Sequence, residues 1–414
     1  MRKYLLMIQT FSPALRRMLI AQGCVGIGVG IIAVLLNLYL RELGYSEEFI
    51  GRLLAIQSLA AAFASVPMGW IADKYSRRIS YVIGAFSLAT GCLILSFSCV
   101  KSMLVFAALI AGTGNGGLMV SIQPFLQEHS RRKQRSYLYS VNFTITFAMN
   151  ILSGILAGFL PGFFFFLGIG AHPDSPETLR WPLICGVAFI FLAVPQAFKL
   201  PQDPKKPLQN VTGETGCPEA QSFPRSLILK FMLTSGLIGL GAGLIVPFFN
   251  LYFRDWVGST VQGIGLVFAL GQFGTAVGGT FSPWISRKFG LVIGVVLIQF
   301  FSLPFMLIMA YSHNFGICAL CYFFRGAFMN MSVPLRQEML MSTVPESFRA
   351  RASAADSVSW NIAWAFSMLF SGHLIKTWGY DHCLFLCFLI YFLSSILYFH
   401  FFAHYSHPLN SKRV

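Results

Sequence analysis

Two charged side chains lie inside long apolar stretches of the sequence, where they could do chemistry. Arg325 lies about nine residues into one such stretch, ~14 Å along a helix. A guanidinium matches the geometry of carboxylate and phosphate groups, and in the middle of a bilayer it costs a few kcal/mol or more. Arg325 could therefore recognise an anionic group on a small molecule. Alternatively, it pairs with helix-end carbonyls or with polar groups near Glu338.

Asp356 is the only one of the 15 acidic residues that the apolar pattern places inside a stretch rather than at its edge. A protonatable group inside a membrane can carry a proton along a pathway. Asp356 is therefore the candidate for coupling to a proton or counter-ion, although it could instead cap or pair near the rim. Four further residues could line a cavity or form interhelical hydrogen bonds: Gln123, Asn142, Asn361 and Trp364.

The elements that must position these residues are membrane helices. The 414 residues are 56% hydrophobic and only 11% charged, whereas soluble domains carry about 25% charged residues. Apolar runs near the length that crosses ~30 Å of hydrocarbon recur at 18–40, 49–72, 79–98, 103–126, 137–160, 181–199, 226–253, 261–285, 290–311, 315–340, 350–374 and 382–403. The prediction is an all-α integral membrane protein with twelve transmembrane helices.

The sequence repeats itself at half its own length. Gly26-x-Gly28-x-Gly30 followed by Asn37 and Arg41 recurs as Gly239-x-Gly241-x-Gly243 followed by Asn250 and Arg254, an offset of 213 residues from Asn37 to Asn250. Trp70-Ile71 recurs as Trp284-Ile285, and Pro124-x-x-Gln127-Glu128 as Pro334-x-x-Gln337-Glu338. Such repeats predict two pseudo-symmetric six-helix bundles, as in carriers that bind solute between two halves.

The predicted domains are residues 1–200 and 226–414, joined by a proline-rich cytoplasmic linker at 201–225. The outward loop between the fifth and sixth helices is expected at about 162–181, with the phenylalanines at 163–166 either closing the fifth helix or lying in the interface. The repeated glycines favour close helix packing over phosphate binding.

The distribution of the net charge of +15 predicts orientation rather than nucleic-acid binding. With both termini cytoplasmic, most Lys and Arg residues fall on inner segments, as the positive-inside rule requires. Six are predicted to face outward: Arg41, Arg52, Lys101, Arg180, Arg254 and Lys376. The expected location is the cytoplasmic membrane, and no cleavable signal peptide is evident.

The sequence offers little for enzyme chemistry. The nine Cys residues lie mostly in apolar helices, where they act as small hydrophobes, so neither metal nor cofactor is expected. It contains no phosphate-binding loop for ATP and no nucleophile elbow or His-Glu-x-x-His motif. An enzyme is therefore not expected, and any solute movement would draw on a gradient.

The segment after the second helix carries a recognisable pattern. Gly69, Asp73, Lys74, Arg77 and Arg78 resemble motif A of the major facilitator superfamily, with Ser76 where that family usually has glycine. The resemblance implies that Asp73, at a helix C-terminus that disfavours a carboxylate, forms a cytoplasmic latch near Arg349, Arg351 and Ser353. The segment could instead serve only as a topology determinant. Pro283 and Arg287 replace the glycine and aspartate in the second half, so the latch is one-sided.

The resemblance also suggests roles for the repeated polar residues. In that superfamily the first and seventh helices line the cavity, so Asn37 and Asn250 become cavity candidates and Arg41 and Arg254 an outer gate. Alternatively, these arginines snorkel to the interface. Gly154-x-x-x-Gly158-x-x-Pro161-Gly162 is similar to the helix-five signature of drug–proton antiporters but lacks a proline after Gly158.

The predicted function is secondary active transport of a small organic solute, with neutral or anionic cargo and export favoured. The alternatives are an importer of an anionic nutrient and a transporter-derived solute sensor. The expected partners are the solute, membrane lipid and a proton or counter-ion, and the expected state is a monomer.

Overall fold

The computed structural model describes residues 11–130, 134–201, 224–345 and 348–405. These residues form helices and connecting turns, with no β-strand among them. The helices are α1 Pro13–Glu42, α2 Glu47–Lys74, α3 Arg77–Phe97, α4 Lys101–Glu128, α5 Arg135–Phe166, α6 Pro176–Phe198, α7 Arg225–Ile245, α8 Val261–Phe289, α9 Leu291–Tyr311, α10 Phe315–Thr343 and α11 Arg349–Phe402. In the described part of the chain, eleven helical segments are long and apolar enough to cross a membrane.

The last of these helices contains a break. α11 has 54 residues, ~80 Å at 1.5 Å per residue, which is more than twice the thickness of a bilayer core. Gly379 interrupts it with φ 85° and ψ 172°, a non-helical conformation. The first limb (349–378) and the second limb (380–402) are each long enough to cross once, which is consistent with the twelve helices predicted.

Local sequence signals define where several helices begin. Ser12 precedes Pro13 and its Oγ accepts a hydrogen bond from the Leu15 amide at 3.3 Å. The Asn314 side chain caps α10 in the same way, accepting from the Ile317 amide at 3.1 Å. Proline at the first helical position and a capping oxygen are typical start signals.

The loop predicted at 162–181 is shorter in the structure. α5 continues through Phe166 and α6 already begins at Pro176, so the predicted bounds of about 162–181 for the loop are wrong, and the alternative that the phenylalanines close the fifth helix is confirmed. The phenylalanines close the fifth helix, and Phe166 is 85% exposed. An apolar run with good helical geometry keeps its backbone hydrogen bonds satisfied by extending the helix.

The chain divides into two compact units, residues 1–44 with 56–220 and residues 45–55 with 221–414. Most of the linker at 201–225 lies outside the described residues, so the division at 1–200 and 226–414 stays a prediction. The assignment of residues 45–55 reflects a close backbone contact within the second unit: a Cβ on Gly372 would lie 2.1 Å from the Glu47 carbonyl oxygen.

In the first unit, the repeated glycines of α1 allow close helix packing. A Cβ on Gly28 would lie 2.3 Å from the Gly186 carbonyl oxygen on α6, and one on Gly30 would lie 1.9 Å from Ser153 Oγ on α5. Contacts this short admit no side chain, so the packing role predicted for these glycines is confirmed.

The glycines of α7 do the same in the second unit. A Cβ on Gly239 would lie 2.5 Å from the Trp360 carbonyl oxygen, and one on Gly243 would lie 2.6 Å from that of Trp364. α7 therefore packs directly on the backbone of the first limb of α11. Further along, α7 loses its regularity: a 3₁₀ turn at Val246–Phe248 and a π-helical turn at Tyr252–Trp256 follow.

Two side-chain contacts recur in both units at the repeat offset. Tyr39 Oη donates to the Ser96 carbonyl at 2.9 Å, and Tyr252 Oη donates to that of Met309 at 2.6 Å. The second contact is a cation–π pair: Lys74 Nζ lies 4.4 Å from the Trp70 ring centroid, and Lys288 Nζ lies 4.9 Å from that of Trp284. The same two contacts at equivalent positions support the duplication inferred from the sequence.

Candidate functional site

The second unit contains a cavity of about 510 Å³. This volume lies within the usual range for small-molecule sites. The lining residues come from α7, α10 and both limbs of α11, and the polar and aromatic ones include Ser235, Arg325, Arg336, Asp356, Trp360, Asn361, Trp364 and Tyr391. The cavity therefore brings together four predicted site residues: Arg325, Asp356, Asn361 and Trp364.

Arg325 lies in the middle of α10 with a buried side chain, 6% exposed. Its Cζ lies 4.9 Å from the ring centroid of Phe249, which follows the 3₁₀ turn of α7. Its Nε and Nη1 have no hydrogen-bond partner among the described residues. Nε and Nη1 therefore do not form the structural pairing considered for Arg325, with helix-end carbonyls or with polar groups near Glu338.

A second arginine, Arg336, lies eleven residues later on α10. Eleven residues make about three helical turns, so Arg336 and Arg325 lie on the same face. Arg336 donates through Nη2 to Ser235 Oγ on α7, and the same hydroxyl donates to Asp356 Oδ1 on α11. One hydroxyl thus connects a cation and a carboxylate across three helices.

An aromatic pair lines the cavity from the first limb of α11. The rings of Trp360 and Trp364 stack with centroids 5.0 Å apart and an interplanar angle of 23°. Residues four apart lie on one helical face, and the close approach of Gly239 and Gly243 holds this face against α7. Asn361 is exposed, and its Nδ2 donates to the Ser357 carbonyl at 2.8 Å.

The remaining cavity candidates lie elsewhere. Asn250 is 1% exposed, and its Oδ1 accepts from the Leu251 amide at 3.0 Å; it does not line the cavity described here. In the first unit Asn37 is 4% and Asn142 is 9% exposed, whereas Gln123 is exposed. Their role in binding stays a prediction.

The motif after α2 forms local contacts within the first unit. Asp73 Oδ1 lies 2.6 Å from Arg77 Nη2, and its side chain is 68% exposed. Arg78 Nη1 donates to the Leu200 carbonyl at 3.0 Å. Ser76 caps α3 by accepting from the Arg78 amide at 3.1 Å, which explains how a serine serves where the family pattern has glycine.

The predicted latch partners belong to the second unit and have local contacts of their own. Arg349 Nε donates to the Val344 carbonyl at 3.2 Å, and Ser353 Oγ accepts from Gln337 Nε2 at 3.2 Å. No atom of the described residues beyond its own helix lies within 4 Å of a Cβ built on Gly69. The latch and the close approach at Gly69 stay predictions.

The outer-gate arginines occupy different backbone contexts. Arg41 lies in the last turn of α1, whereas Arg254 lies inside the π-helical turn. Near the first, the guanidinium of Arg180 donates to Tyr39 Oη, with Nη2 at 3.3 Å. The gate itself stays a prediction.

Comparison with family models identifies the family to which this chain belongs. The model of the Major Facilitator Superfamily matches residues 18–237 and 231–413. The chain belongs to the Major Facilitator Superfamily. Membership makes it a multi-pass membrane protein and indicates a transporter rather than an enzyme. The sequence matches none of the curated proteins.

Solved structures of this superfamily share the fold at low sequence identity. The chain is similar to a bacterial homologue of the human lysosomal transporter Spinster, in an inward-facing and occupied conformation, with a TM-score of 0.74 and 12% identity over 96% of this chain and 98% of that one. It is similar to the nucleoside transporter NupG, with a TM-score of 0.75 and 16% identity over 95% and 99%. It is also similar to a D-xylose–proton symporter, with a TM-score of 0.72 and 15% identity over 99% and 100%.

The structure of this superfamily member adds residues that the sequence analysis gave no role. Ser235 and Arg336 complete the connection to Asp356, and Trp360 and Tyr391 line the cavity. Spacing could have indicated two of them: Trp360 precedes Trp364 by four residues, and Arg336 follows Arg325 by eleven. Ser235 carried no such signal, because serines are common in membrane helices.

Proposed function

We propose that this protein is a secondary active transporter that moves a small organic solute, neutral or anionic, across the cytoplasmic membrane by alternating access. The observation that carries the proposal is the cavity of the second unit, in which the buried Arg325 has two hydrogen-bond donors without a partner among the described residues. Leaving a buried donor unsatisfied costs about 1–3 kcal/mol, and more when the group is charged. A solute that offers acceptor oxygens to Arg325 recovers that cost.

Coupling is assigned to Asp356. Its carboxylate lines the same cavity as Arg325 and accepts a hydrogen bond from Ser235. A proton that reaches Asp356 removes the acceptor charge on which the Arg336–Ser235–Asp356 connection depends, so proton binding and the arrangement of α7, α10 and α11 are linked. A counter-ion or counter-substrate is the other gradient that the same cavity could use.

The remaining parts of the proposal concern access and topology. Two six-helix bundles, residues 1–200 and 226–414, rock about the solute, with Asp73 as the cytoplasmic latch and Arg41 and Arg254 at the outer gate. Both termini are cytoplasmic and the protein acts as a monomer. Export is favoured over import because helix α5 carries the glycine pattern similar to that of drug–proton antiporters.

Two alternatives differ in what they move. An importer of an anionic nutrient is favoured by Arg325 itself, because the buried guanidinium suits a carboxylate or phosphate. A transporter-derived sensor would bind solute in the cavity without exchanging it across the bilayer.

Counterflow in reconstituted vesicles tests the proposal. Vesicles loaded with excess unlabelled candidate solute should accumulate the labelled solute transiently, and Arg325→Gln should abolish this accumulation. A protein that binds solutes in detergent but exchanges none of them in vesicles is a sensor, and the transport proposal is then rejected. Oriented vesicles with an imposed pH gradient of either sign distinguish export from import.

A further inference from the structure

We infer that the cavity of the second unit selects flat aromatic organic acids, with the acid group on Arg325 and the ring against Trp360 and Trp364. This inference rests on the proposed function and specifies its substrate class. Three observations support it: an arginine with unpartnered donors, a stacked tryptophan pair on the same cavity, and the balance of charge around that cavity.

The acid group is recognised at Arg325. The side chain is 94% buried, since 6% is exposed, and its guanidinium faces the Phe249 ring on one side at 4.9 Å. The Nε and Nη1 atoms of this guanidinium have no hydrogen-bond partner among the described residues, so both N–H groups on the guanidinium edge can donate to an acid group. The edge is where carboxylates bind arginine, through two parallel hydrogen bonds.

The ring is recognised by the tryptophans. Trp360 and Trp364 are stacked at 5.0 Å and both line the cavity. Tryptophan presents a large, rigid aromatic surface, and aromatic pairs gain stabilisation beyond the area they bury. A planar conjugated ring fits against this pair better than a puckered saturated ring of the same size.

The charge balance disfavours a cationic solute. Among the lining residues the charged ones are Arg325, Arg336 and Asp356, which leaves one uncompensated positive charge. Asp356 is already engaged by Ser235, and through it by Arg336. The cavity thus holds one arginine, Arg325, whose charge an organic anion would neutralise, and no free carboxylate for an amine.

Three probes of matched shape separate the two kinds of recognition. 2-Naphthoate carries both an acid and an aromatic ring, 2-naphthamide removes the charge, and decahydro-2-naphthoate removes the aromaticity. Isothermal titration calorimetry on the purified full chain in detergent should show 2-naphthoate binding at least about tenfold more tightly than either of the others, since tenfold is one lost good interaction.

Variants assign the effect to the residues. Arg325→Gln should reduce the affinity for 2-naphthoate about tenfold or more while leaving that for 2-naphthamide nearly unchanged. Trp364→Leu should reduce the affinity for both aromatic probes but not for the saturated acid. Arg287→Gln and Trp284→Leu are matched controls on α8, where both side chains are exposed, and should change none of the affinities. Arg325→Lys, which keeps the charge but lacks the planar fork, provides the test if Arg325→Gln does not fold.

The outcomes separate this inference from the transport proposal. No binding of 2-naphthoate, equal affinity for the three probes, or an unchanged affinity in Arg325→Gln or Arg325→Lys overturns the aromatic-acid site. Exchange of neutral solutes in vesicles without preference for the acid overturns the site and leaves transport intact. Binding of 2-naphthoate that depends on Arg325, without counterflow, retains the site and rejects transport.

Discussion

Replacing Gly239 by alanine should destabilise the second unit and disturb its cavity. A Cβ at this position would lie 2.5 Å from the Trp360 carbonyl oxygen and 3.2 Å from its Cα. The obstructing atom is backbone, so it cannot rotate away. α7 and the first limb of α11 must separate by roughly 1 Å to reach ordinary van der Waals contact, and Trp360, which lines the cavity, moves with them.

The duplication supplies a matched control, Gly26→Ala. Gly26 occupies the equivalent repeat position in α1, but there a Cβ would meet only Met149 Cβ at 3.4 Å, an ordinary contact. Both substitutions gain up to about 1 kcal/mol of helix propensity. Only Gly239→Ala also carries an overpacking cost of about 1–3 kcal/mol. The expected net effects are therefore about 0–2 kcal/mol destabilising at Gly239 and neutral or stabilising by up to about 1 kcal/mol at Gly26, so the two variants should differ by about 1–3 kcal/mol.

Thermal unfolding of the two purified variants in detergent measures this difference. For a unit of this size 1 kcal/mol corresponds to about 2–4 °C, so the midpoint of Gly239→Ala should lie roughly 2–12 °C below that of Gly26→Ala. The affinity of the Gly239 variant for a cavity ligand should fall as well. Equal midpoints for the two variants would refute the packing argument, because the contact distance is the feature that separates them.

Three further substitutions test other parts of the molecule. In the unmodified protein, one coupled proton can sustain a solute concentration ratio of about tenfold per pH unit. Asp356→Asn should abolish this accumulation driven by a pH gradient, while counterflow continues. Asp73→Asn should reduce transport severalfold with normal membrane insertion, because the latch carboxylate is lost; surface labelling and uptake measure the two effects. Tyr252→Phe should lower the unfolding free energy by about 1 kcal/mol, measured by thermal unfolding, because the hydrogen bond to Met309 disappears.

Each of these predictions has its own control. Retained gradient-driven accumulation in Asp356→Asn would remove this residue from coupling. The control for Asp73→Asn is Glu128→Gln, which neutralises another carboxylate beside Arg77, 3.7 Å from its Nη2, and should leave transport intact. Full activity in Asp73→Asn would contradict the latch hypothesis. Tyr39→Phe removes the equivalent hydrogen bond in the first unit and also the acceptor of Arg180, so it should cost at least as much.

The helices were largely predictable because the bilayer constrains them so strongly. The predicted runs 18–40 and 49–72 lie inside α1 (Pro13–Glu42) and α2 (Glu47–Lys74), since hydrocarbon thickness sets a minimum apolar length. The error at the end of α5 has the same origin: composition identifies the span, but not how far a helix continues beyond it.

The cavity was only partly predictable. Arg325 and Asp356 could be selected because each is a charge inside an apolar run. Their surroundings could not, because Ser235 meets Asp356 across 121 residues of sequence and meets Arg336 across 101. Phe249, which contacts Arg325, directly follows the 3₁₀ turn after α7. Pro247 indicates an irregularity there, but it does not by itself predict where the turn begins.

The single-residue break at Gly379 has a practical consequence for anyone probing the topology of this chain. The two limbs of α11 are joined with almost no spare backbone, and a side chain at this φ of 85° would be strained and would meet Asp381 Oδ1 at 2.7 Å. An epitope or protease site inserted there would separate the two limbs of α11. The turn between α5 and α6, where Gly168 and Gly170 also have positive φ and several residues separate the helices, can accept such a reporter far more readily.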